Sequence, residues 1–138
     1  EFFRKYCYGE GVKTADEVEE MIASRILEMP ADAIVVIHWH YAVARPNRTY
    51  IPQITFLRME RMMHRIRIER IMLVLLEASV DIIRARRLKD SRKKKMNFLR
   101  AKIAEEMRCE EVFLLRHREF FAGIIGEKRV DVCRIQTA

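Results

Sequence analysis

From Gln53 to Ala122 the chain runs 70 residues without a glycine or a proline. Those two residues supply the left-handed or pre-bent backbone that tight turns need, so a stretch without them has few cheap places to reverse direction. Few turns imply few elements, and therefore long ones. Within the stretch Ile54, Leu57, Met62, Met63, Ile66, Leu73, Leu76, Val80 and Ile83 recur at steps compatible with a helical stripe. Met59, Ile66, Leu73 and Val80 stand seven apart, but Glu69 interrupts the companion row, which favours bundle packing over a two-stranded coiled coil. The fold class expected is mainly α: a helical bundle or long helical hairpin. Residues 53–122 are expected as one long helix or a helical hairpin, and the one place for a break is Asp90-Ser91, both good helix N-caps. A second long helix then carries Met96, Leu99, Ile103, Met107, Leu114 and Phe121 and stops at Gly123 and Gly126.

The flanks are read in the same way, and together they make one helical domain over 1–138. Residues 1–13 form an aromatic arm, with Phe2, Phe3, Tyr6 and Tyr8 ahead of Gly9-Glu-Gly11. Exposed aromatic rings are costly in water, so this arm is expected to dock on protein. The first helical part, 14–45, opens on Thr14-Ala-Asp-Glu17, the pattern of a capping box. Val18, Met21, Ile22, Ile26 and Met29 then make one stripe up to Pro30. For residues 31–45 the β-branched Ile34-Val-Val-Ile37 and the alternation through Val43 suit a strand. A lone strand needs a mate, however, and only the short Val130–Ile135 run offers one, so helix is preferred. Residues 46–52 hold two prolines and break the chain. Residues 123–138 read as a short C-terminal tail with weak strand alternation.

Charge is localised. The chain carries a net +7, with 19 Arg and 8 Lys. Between 84 and 95 stand Arg84, Arg86, Arg87, Lys89, Arg92, Lys93, Lys94 and Lys95 against the single acid Asp90, so this segment alone accounts for the whole excess. Such a cluster can neutralise several phosphates, and it is the expected contact for RNA or another polyanion. Arg92-Lys-Lys-Lys95 also has the look of a nuclear-localisation patch, a loose pattern. A second basic run, Arg58, Arg61, Arg65, Arg67 and Arg70 with His64, is interleaved with Met59, Met62 and Met63, and its Arg58, Arg61 and Arg65 share one helix face. Arginines gripping the rim of a partner while methionines pack into it would make an interface, so those methionines join Phe2, Phe3, Tyr6 and Tyr8 as expected partner contacts.

Residues fit for chemistry are scattered. Cys7, Cys109 and Cys133 are odd in number and widely spaced, which fits free thiols in a reducing compartment. None of these cysteines, nor Ser24, Ser79 or Ser91, lies in a nucleophile motif. His38-x-His40 would share one side of a strand but lacks further ligands at a zinc spacing. Glu77 and Asp81 read as carboxylates one helical turn apart, with Arg84 as their ion-pair mate. Neither enzyme, metal nor cofactor is expected. The apolar run around Ile71–Ile83 is about 13 residues, against about 20 for a membrane span, and it contains two acids. No secretory signal is evident, and the first residue is Glu rather than Met, as in a fragment or a processed chain. The function expected is a structural or accessory subunit of an intracellular assembly, of the ribonucleoprotein kind, with a mitochondrial or nuclear site compatible. A free-standing helical nucleic-acid-binding regulator is the alternative.

Overall fold

The structure is a computed structural model and describes residues 14–38, 40–45, 47, 49–90 and 99–138. In chain order the elements are α1 (Ala15–Leu27), β1 (Val43–Ala44), β2 (Tyr50–Ile51), α2 (Phe56–Arg65), β3 (Ile71–Glu77), α3 (Val80–Lys89), α4 (Arg100–Ile125), a single 3₁₀ turn (Glu127–Arg129) and β4 (Val130–Gln136). They fall into two compact units. One takes the described part of 1–38 with Ile54–Ile68, and the other takes the described part of 39–53 with Glu69–Ala138.

In the first unit α1 and α2 pack together. The Thr14 amide donates to Glu17 Oε2 at 2.6 Å and the Glu17 amide donates to Thr14 Oγ1 at 3.2 Å. The capping box is therefore closed in both directions and fixes where α1 begins. Thr55 caps α2 in the simpler way, its hydroxyl accepting from the Arg58 amide. Ala23, Met59, Met62 and Ile66 are buried here.

The second unit overturns the expectation of helix throughout 53–122. Residues 71–77 are a strand, and the C-terminal segment is not a loose tail, because Val130–Gln136 pairs with it in parallel. The register runs from Ile71 opposite Val130 to Glu77 opposite Gln136. Parallel strands need a long crossover, and here α3 and α4 lie between the two strands in the chain. The chain is thus rich in helix but mixed α/β, not a pure helical bundle or hairpin. A continuous apolar run such as Ile71-Met-Leu-Val-Leu-Leu76 carries no period of its own, so the helix and strand readings compete until a mate decides. The chain enters and leaves β3 without Gly or Pro. α2 ends at Ile66 in extended backbone, and Ser79 caps α3 by accepting from the Ile82 amide.

α3 closes at Lys89 with Asp90 as its last cap, which is where the sequence marks a break. α4, about 39 Å long at 1.5 Å per residue, buries Ile103, Cys109, Phe113, Leu114, His117 and Phe121. It ends at Gly126, whose φ of +96° is open only to glycine at low cost. Gly123 lies inside the helix. Residues 33–38 adopt no regular element, contrary to the expected helix over 31–45. Only a two-residue antiparallel pair, Val43 with Ile51 and Ala44 with Tyr50, follows.

Candidate interaction surfaces

The described members of the two basic groups each have a definite place. Arg92, Lys93, Lys94 and Lys95 lie outside the described residues, as do Phe2, Phe3, Tyr6 and Tyr8. Arg84, Arg86 and Lys89 stand on the exposed side of α3, whereas Arg87 turns inward to Glu106 of α4 at 2.6 Å. Arg86 donates to Thr137 Oγ1 at 3.4 Å and to the Ala138 carbonyl. Cations in the last turn of α3 also meet the negative end of its dipole, so part of this charge serves the helix itself.

The arginines of α2 grip acids of this chain. Glu19, itself buried, receives Arg58 at 3.2 Å and Arg61 at 3.0 Å, and Arg58 also bonds Asp16. Arg65 meets Glu20 with both nitrogens, at 2.6 and 2.8 Å, the paired geometry that makes arginine–carboxylate contacts strong. Its guanidinium holds the Glu20 carboxyl below the usual carboxylate range, and Arg58 does the same for Asp16. Between these pairs Met59 and Met62 are 2% and 7% exposed, so their packing is spent within the chain. Met63 is half-buried. Sequence distance hid this arrangement, because the partners lie about forty positions apart.

The carboxylates of the second unit are likewise structural. Glu77 ends β3 rather than sitting one helical turn from Asp81. It accepts from Arg134 Nη1 at 2.7 Å and from Gln136 Nε2 at 2.6 Å. Arg134 reaches Glu111 with its other nitrogen at 2.6 Å. Asp81 pairs with Arg100 at 2.6 Å, where Arg84 was the expected mate. Glu110 of α4 gathers the segment after residue 39, accepting from the Tyr41 amide at 2.7 Å and the Ala42 amide at 3.3 Å, with His40 Nδ1 at 3.1 Å. Tyr41 then donates its hydroxyl to the Val74 carbonyl at 3.0 Å, and burial pushes its pKa up to about 12. His117, only 1% exposed, meets Tyr41 edge-on at 5.3 Å and donates Nδ1–H to the Phe113 carbonyl. Burial pushes its pKa down. Among the described residues no three His, Cys, Asp or Glu side chains gather as a metal site, and no helix is long and apolar enough to cross a membrane.

The surface that sequence reasoning missed is the sheet. Side chains alternate across a strand, so Ile71, Leu73 and Leu75 share one face with Val130 and Val132. That face turns to α4, and Leu73 and Val130 are buried. The opposite face carries Met72, Val74 and Leu76 with Asp131, Cys133 and Ile135. It leaves Met72 62%, Val74 38%, Leu76 62% and Ile135 45% exposed. The repeated apolar residues at even positions of β3 were the available signal, but they acquire meaning only once β4 is known to pair.

Among the described residues the chain is helix-rich and mixed α/β, and its second unit is built on the parallel pair of β3 and β4. No protein-family model, no curated protein and no solved structure matches the chain.

Proposed function

We propose that this chain is a non-catalytic subunit of a larger intracellular assembly, and that it joins a protein partner through the outer face of the β3–β4 sheet. The observation that carries the reading is the exposure of Met72, Val74, Leu76 and Ile135 side by side. Parallel sheets are covered on both faces in ordinary folds, because their strands are apolar throughout. The open face is about 23 Å long, seven residues at about 3.3 Å each, and about 10 Å wide. Those dimensions suit one amphipathic helix of about 15 residues. The exposed cations Arg84, Arg86 and Lys89, leading into 92–95, give the same subunit a side that suits RNA or another polyanion.

A photo-reactive residue placed at Leu76, and separately at Lys89, tests both parts in cells. The expected result is a protein adduct from position 76. Its partner, once identified and purified, should bind the wild-type chain and lose at least about tenfold in affinity to L76D, since a charge is then buried in an apolar contact. Adducts to nucleic acid alone, with L76D binding unaltered, would instead make the chain a free-standing nucleic-acid-binding regulator.

A further inference from the structure

We propose that two copies of this chain pair edge to edge through β4, antiparallel and centred on Cys133, to form a four-stranded sheet ordered β3-β4-β4-β3. This contact uses the edge of the sheet and leaves its outer face free for the partner proposed above.

Hydrogen-bond parity identifies the open edge. The Thr137 amide donates to the Glu77 carbonyl at 2.7 Å, and Gln136 stands opposite Glu77 in the register. In a parallel ladder this means that Asp131, Cys133 and Ile135 direct their amides and carbonyls toward β3. The amides and carbonyls of Val132, Arg134 and Gln136 therefore point away from β3, as does the Val130 carbonyl. The Val130 amide is used locally, on the Glu127 carbonyl. On β3 the same parity sends the Val74 carbonyl outward, where it meets the Tyr41 hydroxyl. Among the described residues no strand pairs with the outer edge of β4.

Exposed edges are ordinarily protected by proline, by bulges or by unpaired charge. β4 has no proline, and its register with β3 is unbroken over seven residues. Its two charges are already matched from within the chain, Asp131 by Arg70 and Arg134 by Glu77 and Glu111. Among the described residues the edge therefore lacks proline, a bulge and unmatched charge, the features that would deter association.

Charge and length select a second copy and one register. Centring on Cys133 sets Val132 opposite Arg134 of the second copy, Asp131 opposite Ile135 and Val130 opposite Gln136. All seven residues then pair, no like charges stand directly opposite one another, and about six interstrand hydrogen bonds form. Centring on Arg134 would put arginine against arginine, and centring on Val132 would leave Gln136 outside. Because the main-chain groups of Cys133 face β3, Cys133 and its symmetry mate occupy a non-hydrogen-bonded pair, with Cα atoms about 4.5 Å apart. That spacing is within reach of a disulfide.

The test uses the full chain with Cys7→Ser, leaving the buried Cys109 in place. Light scattering is expected to give twice the chain mass. Copper-phenanthroline with oxygen, which takes two electrons and two protons from a thiol pair, should crosslink the dimer through Cys133. Val132→Pro removes an outward amide and leaves the hydrogen bonds to β3 in place, so the dimer should be lost while the circular dichroism remains that of a folded chain. Should that variant unfold, a C133S/I135C chain decides: its new thiol lies opposite Asp131 of the second copy, so it should dimerise without crosslinking. A wild-type chain that stays monomeric, or a dimer in which I135C crosslinks as readily as Cys133, overturns the proposal.

Discussion

At the scale of single residues, the second unit is organised by polar groups whose partners are inside the chain. His117 is the clearest case. It is buried against Tyr41 and Phe121, donates to the carbonyl one turn back, and has its pKa depressed by loss of solvent. A histidine of lowered folded pKa binds protons less readily folded than unfolded, so the unfolded state gains as pH falls. The stabilisation is complete above the unfolded value of about 6.5 and drains away below it. Urea unfolding measured between neutral and mildly acidic pH should show this loss, and His117→Leu should flatten the part of the slope that His117 supplies. An unchanged slope would mean that His117 is protonated as easily in the folded protein as in water. The acids on α1 push the same way, since Arg58 and Arg65 lower the pKa of Asp16 and of Glu20. Their contribution is present at neutral pH and is lost only at pH values below about 4, which separates it from that of the histidine.

At the scale of elements, the decisive residue pair is Leu73 and Leu76. On a helix they would share a face, three residues apart; on β3 they lie on opposite sides, Leu73 buried and Leu76 exposed. Leu73→Ala should therefore cost about 2–5 kcal/mol. Leu76→Ala should stay within about 0.5 kcal/mol in the isolated chain. Chemical denaturation of the two variants checks this, and equal losses would restore a helical reading of 71–77. The contrast also explains what could be read in advance. Thr14 with Glu17 and the stop at Gly126 are local devices, written within four residues of the place where they act, and both are where the sequence puts them, although Gly123 stays inside α4. Asp90 stands at the expected break but closes α3 instead of capping the next helix. β3 is different, because its identity depends on Val130–Gln136, more than fifty residues away. The missing glycines and prolines misled as well: Ile66 and Ser79 end and begin helices through extended backbone and a hydroxyl cap, which composition does not reveal. The α2 arginines failed for the same non-local reason, since α1 supplies the acids they hold.

At the scale of the whole molecule, the charge excess of residues 84–95 equals that of the entire chain, so any long-range attraction for a polyanion has one origin. The described members of that segment differ in what holds them. Arg87 is held by Glu106, while Lys89 extends from the exposed side of α3. If the segment neutralises the phosphates of a single-stranded RNA, each phosphate contact adds about 0.7 to the slope of log affinity against log salt. Lys89→Gln should then lower that slope by about 0.7 and leave thermal stability unchanged. Arg87→Gln should leave the slope in place but lower the melting temperature, because it strips Glu106 of a partly buried partner. Titrating a fluorescent oligoribonucleotide across salt concentrations, alongside thermal melts, reads both quantities. Equal slope changes for the two variants would show that the helix presents its cations without regard to the Arg87–Glu106 pair, and a flat salt dependence for the wild-type chain would remove phosphate as the ligand of this segment.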